Sequence, residues 1–279
     1  MKRLFFCVFL LAATCAAAFG QGGVKPAKLS VDEIVARHLA SLGSAEARSK
    51  VTSRVFVGEG RLNGKIGFVG MFNGPAQLAS DGRKVLLAMV LNGADYPYEK
   101  VGFDGKNLSV GKPDGRFTIL AEFLRSQSAI VKDGLFTGVL SSAWPFLDHG
   151  GKAPKFEAAG TEELGGRWFY KLRSSHGDLN VALLFDANSF RHVASRYEYT
   201  IAPRMSTEIT ETPKEKPSRF TMSEQFSDFK VFGGLTLPSK YTIDISNEAD
   251  GSLTQIQWSV NVQKAFFNQS LEESAFKVS

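Results

Sequence analysis

Cysteine is almost missing from this chain. Its two residues, Cys7 and Cys15, both fall within the first twenty positions. Once that segment is removed, no disulfide can form and no thiol is left as nucleophile or metal ligand. Histidine is equally scarce. His38, His149, His176 and His192 are scattered, and no two have a ligand spacing, so neither a metal site nor a cofactor is expected. There is no Gly-x-Ser-x-Gly elbow, no glycine-rich phosphate loop and no His-Glu-x-x-His. Asp148-His149-Gly150-Gly151 has the composition of an oxyanion loop, but it has no nucleophile motif to serve and reads as a Gly-rich exit from a helix. The carboxylate pairs Glu162-Glu163 and Glu208/Glu211 fall in a turn and in a polar loop, and read as solvated. No enzyme is expected from this inventory. After the first twenty residues no run is apolar enough to cross a membrane as a helix. Charges of both signs are interspersed, with no basic run interleaved with aromatics, which argues against a nucleic-acid partner.

What is present begins with a leader. Met1-Lys2-Arg3 is a basic head, Leu4–Ala13 is apolar, and Ala18-Phe19-Gly20 supplies a small-residue cleavage site before Gln21. This predicts a signal peptide over 1–20 and an exported, periplasmic protein. The alternative is a lipid anchor on Cys15, since Leu11-Ala12-Ala13-Thr14-Cys15 loosely matches a lipobox. Without Lys2 and Arg3 the net charge falls from +5 to +3. Residues 21–29, rich in Gly, Lys and Pro, read as a flexible tether. Residues 30–279 read as one domain, within the range of roughly 200–250 residues common for β-rich domains. A monomer is expected.

Ser30-Val31-Asp32-Glu33 has the form of a capping box, and Val31, Ile34, Val35, Leu39 and Leu42 then share a helical face up to Gly43. From Val51 onward the period becomes two. In Thr254–Lys264, Ile256, Trp258, Val260 and Val262 alternate with polar residues, the pattern of a strand with one apolar face. Val51, Ser53, Val55 and Val57 are taken as one apolar face of the first strand. Asn63-Gly64 reads as its hairpin turn, with further Asn-Gly or Asp-Gly pairs beginning at residues 73, 81, 92, 104, 114 and 250. Such punctuation favours sequential antiparallel pairing over βαβ units. The rhythm breaks over Arg116–His149, where Phe117, Leu120, Phe123 and Leu124, then Leu135, Val139 and Leu140, recur at helical spacing before Trp144-Pro145-Phe146. Ala202–Ser218 is polar and proline-punctuated, a loop. The fold class is therefore mainly β with minor α: a curved antiparallel sheet of about a dozen strands, with an N-terminal helix and an inserted helical lid. The helices, and a C-terminus without a final aromatic residue, argue against a membrane barrel.

Several local patterns occur in a familiar order. The helix VDEIVARHLASLG precedes Gly102-Phe103-Asp104-Gly105-Lys106 and Ser142-Ala143-Trp144-Pro145. Then come Leu184-Phe185-Asp186, Phe226-Ser227-Asp228-Phe229-Lys230 with Gly234-Leu235-Thr236-Leu237-Pro238, and a tail of Phe267-Asn268 and Phe276. Together they resemble the bacterial outer-membrane lipoprotein-sorting (LolA-like) superfamily. The resemblance implies an incomplete antiparallel β-barrel, a half-barrel of about 11–12 strands whose open mouth is covered by helices, no enzymatic activity, and an apolar cavity carrying a lipid or an acylated protein, with an outer-membrane acceptor protein as a further partner. The ligand itself does not carry over.

The expected function is a periplasmic carrier holding an acyl chain or other apolar ligand between curved sheet and lid. The alternative is a non-enzymatic cell-envelope scaffold with the same fold and a filled core. For the carrier, the expected lining is Val55, Phe68, Met71, Met89, Leu91 and Phe103 on the sheet, and Phe117, Leu120, Phe123, Leu124, Leu135, Leu140, Trp144 and Phe146 on the lid.

Overall fold

A computed structural model describes residues 25–67, 70–147, 154–201, 218–249 and 252–278. The expected leader and most of the polar loop after Ile201 lie outside these residues, as do Asp148-His149-Gly150-Gly151 and Phe68.

Helix α1 spans Val31–Leu42 and opens on the expected capping box: the Ser30 hydroxyl accepts from the Glu33 N–H, and the Glu33 carboxylate accepts from the Ser30 N–H. A short helix α2 (Ala45–Ser49) follows. The strands are β1 (Ser53–Ile66), β2 (Met71–Asp81), β3 (Lys84–Val90), β4 (Tyr98–Phe103), β5 (Leu108–Val110), β6 (Glu157–Leu164), β7 (Arg167–His176), β8 (Leu179–Asp186), β9 (His192–Ile201), β10 (Ser218–Phe232), β11 (Leu235–Ala249) and β12 (Ser252–Phe267). Between β5 and β6 lie α3 (Ile119–Ser126), α4 (Ala129–Lys132) and a 3₁₀ turn at Gly138–Leu140.

All twelve strands form one antiparallel sheet in the order β5-β4-β3-β2-β1-β12-β11-β10-β9-β8-β7-β6. The sheet is not closed into a barrel. The first and last strands meet in its middle, where β1 pairs with β12, and its free edges are β5 and β6. The segment joining those two edges, 111–156, contains the helices and must cross the sheet to connect them. The lid is therefore a consequence of topology: every other pair of consecutive strands lies side by side in the sheet, whereas this connection joins opposite edges.

The Asn-Gly signals need two corrections. Asn63-Gly64 is not a turn, because β1 runs on through both residues to Ile66, with Asn63 paired to Met71 and Gln257 and a register shift between Gly64 and Ile66. Asn73-Gly74 lies inside β2. Ladder hydrogen bonds on both sides of β1 outweigh the local turn preference of the dipeptide. Asp81-Gly82 and Asp104-Gly105 do turn the chain, with glycine φ values of +55° and +94°.

The faces of β1 also differ from expectation. Phe56 and Leu62 point into the main core on the lid side, whereas Val55 packs with Ala79 and Phe276 in a small second cluster on the opposite face. That cluster exists because the C-terminal segment folds back over the outer side of β3 and β4. Phe276 is completely buried there. A side chain at Gly102 would meet the Phe276 carbonyl at 2.4 Å, so the close approach needs glycine.

Candidate functional site: the lid and its polar anchors

The lid is apolar where it meets the sheet. Leu120, Phe123, Leu124, Leu135, Leu140 and Trp144 are buried in the same core as Met89, Leu91 and Phe103 of the sheet side, with Phe117 and Phe146 packed at its margin. Two expected lining residues are elsewhere. Val55 belongs to the outer cluster, and Met71 is 64% exposed on the outer face, as its pairing with Asn63 requires. In both cases the side chain sits on the face of its strand opposite to the expected one. The grooves on the outer side of the sheet are polar. One of about 690 Å³ is lined by residues such as Lys155, Arg173, Asn180 and Arg196, and another of about 390 Å³ by Asn63, Gln225, Thr242 and Asn261.

The sequence reading missed a set of buried polar groups that fasten the lid to the sheet. Arg54 of β1 lies on the core face, 2% exposed, and its guanidinium donates to the Val139 carbonyl at 2.6 Å and the Ser141 carbonyl at 3.3 Å. Its Nε has no partner. Burial pulls the guanidinium down to about 10. Next to it on β2, the Ser80 hydroxyl accepts from the Ser142 N–H.

Glu224 of β10 is fully buried. Its carboxylate accepts from the Thr137 N–H at 2.8 Å, the Tyr197 hydroxyl at 2.7 Å and the Tyr241 hydroxyl at 2.5 Å. Burial pushes its pKa up to about 7, against the lowering effect of these donors. Thr137 has φ +63°, and the carboxylate holds this strained residue at the start of the 138–140 turn. Glu99 of β4 repeats the arrangement at the other end of the lid. It accepts from the Tyr96 hydroxyl and from the Thr118 hydroxyl, which also caps α3, and burial raises it to about 7 as well.

A third anchor joins α1, the lid and the β8–β9 turn. The Trp144 indole can only donate, so its 3.1 Å bond makes His38 Nε2 an acceptor. His38 Nδ1 must then carry the proton and donate to the Phe190 carbonyl, also at 3.1 Å. Burial lowers His38 to about 4, so it is neutral at pH 7. His192 stacks on Trp144 with ring centroids 4.5 Å apart and lies 3.1 Å from the Ser195 hydroxyl. Burial also pushes it well below the usual histidine range. Among the described residues no group of His, Cys, Asp and Glu could hold a metal ion.

One signal for these residues was available in the sequence. Glu224 falls between Met222 and Phe226, and Glu99 precedes Val101 and Phe103, on the apolar parity of their strands. A charged residue in register with a buried face marks a buried polar anchor.

No protein-family model matches the chain, and no curated protein does. Among solved structures, the chain is similar to a LolA superfamily protein from Nitrosomonas europaea, at 11% identity and a TM-score of 0.46, over 90% of this chain and 99% of that one. It is also matched to MucB, solved in complex with MucA(peri), at 10% identity and a TM-score of 0.20, over 86% of this chain and 99% of that one.

Proposed function

We propose that the protein is a carrier in the cell envelope, and that it holds an acyl chain or similar apolar ligand between the sheet and the lid. The observation that carries this reading is the way the lid is attached. It contributes no strand, lies across an apolar sheet face, and is fastened through a few discrete polar contacts: Arg54 to Val139 and Ser141, Glu224 to Thr137, Glu99 to Thr118, and His38 to Trp144. Such a segment can lift as a unit while the sheet keeps its ladder. The ligand then takes the place of Phe123, Leu124, Leu140 and Trp144 against the sheet. Each buried CH₂ contributes about 0.8 kcal/mol, so a chain of about a dozen carbons can offset the exposure of these side chains.

A second reading has its own support. Those same lid residues are 0–2% exposed, so in this closed form they fill the space they cover, as in a scaffold with a permanent core. Titration with a fluorescent fatty acid, with Trp144 and Trp258 as reporters, separates the two. Saturable one-to-one binding that is weakened in a folded Leu124→Glu variant supports the carrier. Absence of binding refutes it and leaves the scaffold.

A further inference from the structure

Arg54 is a buried cation with an incomplete set of partners. Its position is fixed by β1, opposite Ser80, under the 138–141 turn of the lid. Its two acceptors are both main-chain carbonyls, reached through one nitrogen, and its Nε has none. Guanidinium presents five donors in a planar fork that matches a two-oxygen anion. The two buried acids that hold the lid stand on β4 and β10, each three strands from β1, and are already committed: Glu224 to Thr137, Tyr197 and Tyr241, and Glu99 to Tyr96 and Thr118. Among the described residues none forms an ion pair with Arg54. A buried charge without a counter-charge is costly, and two carbonyl dipoles offset that cost only in part. The drop of its guanidinium to about 10 has the same cause.

Building on the carrier reading, we propose that the ligand is an anionic amphiphile whose carboxylate or phosphate head pairs with Arg54 when the 138–141 turn lifts. The exchange is local. Val139 and Ser141 leave the guanidinium with the lid, the anion supplies two oxygens in their place, and the alkyl chain lies along the apolar sheet face that the lid has uncovered. Glu99 and Glu224 sharpen the choice of orientation, because each would repel a head placed at its own end of the lid. The closed lid and the bound head are thus alternative partners of one arginine.

The test compares dodecanoic acid with dodecanol at about pH 8, where the acid is ionised. Chain length is constant, so only the head differs. The expected result is tighter binding of the acid by about tenfold to a hundredfold, as charge-assisted hydrogen bonds give. Arg54→Met should abolish that preference while keeping dodecanol binding. Arg54→Lys, which retains the charge but not the fork, should keep part of it and covers the case in which the methionine variant fails to fold. Equal affinity for acid and alcohol in the unaltered protein overturns the proposal and leaves the carrier reading standing, as does an acid preference that survives in Arg54→Met. Failure of both ligands to bind overturns the two together. Dodecyl phosphate against inorganic phosphate distinguishes the source of the anion. Displacement of a bound fatty acid by inorganic phosphate alone, at similar concentration, would mark a free-anion site and refute an amphiphile.

Discussion

Glu224→Gln is the substitution that most directly tests the buried anchors. In the folded chain the Glu224 pKa stands near 7, raised from 4.5 chiefly by burial. A raised carboxyl pKa means that the native state binds the proton more tightly than the unfolded chain does. Its stabilising contribution is therefore complete below about pH 4.5 and is lost as pH rises through 7. That rise corresponds to about 3 kcal/mol, spread over that window, because a tenfold change in proton affinity is about 1.4 kcal/mol. Glutamine is the uncharged isostere. Its carbonyl can accept from Thr137 and Tyr241, and its amide can donate to the Tyr197 hydroxyl, which is free to turn its own proton to the Leu135 carbonyl at 3.2 Å. Denaturant unfolding should give nearly equal stability for the two proteins near pH 5, where Glu224 is protonated. By about pH 8.5 the variant should be the more stable, by about 2–3 kcal/mol. Parallel stability profiles from pH 5 to 8.5 would refute the idea that Glu224 titrates inside the fold. So would a variant that loses stability equally at every pH, since that result assigns the anchor to shape alone.

The histidine anchor has the opposite sign. His38 is lowered from 6.5 to about 4 by burial, so its stabilising contribution is present above pH 6.5 and is lost as pH falls toward 4. His38→Ala should cost about 2–4 kcal/mol at pH 7 through two unpaired partners and a cavity, and should flatten the acid limb of the unfolding profile. Removal of the C-terminal anchor by Phe276→Ala should cost about 3–5 kcal/mol, and hydrogen exchange should show faster opening at the outer face of β3 and β4 while the lid side is unchanged.

The sequence by itself determined the local elements. The capping box placed α1, period-two alternation placed the strand over Thr254–Lys264 that proves to be β12, and the break in that period located the lid. These signals are local because capping and face alternation depend on neighbours a few positions away. Only the tertiary structure decided which face of β1 and β2 is the inner one. Both faces of β1 are partly apolar, and the C-terminal segment that buries Val55 comes from more than two hundred residues away. Long-range pairing also overruled the turn signal at Asn63-Gly64. The polar anchors were decided the same way. Glu99 and Glu224 show only their apolar register in a linear reading, Arg54 and His38 show less, and a capping threonine, the Thr137 N–H, a main-chain carbonyl or an indole of the lid becomes their partner only when the β5–β6 connection is drawn across the sheet. Burial is a property of what lies on top of a residue, and for these four the covering segment is remote in sequence.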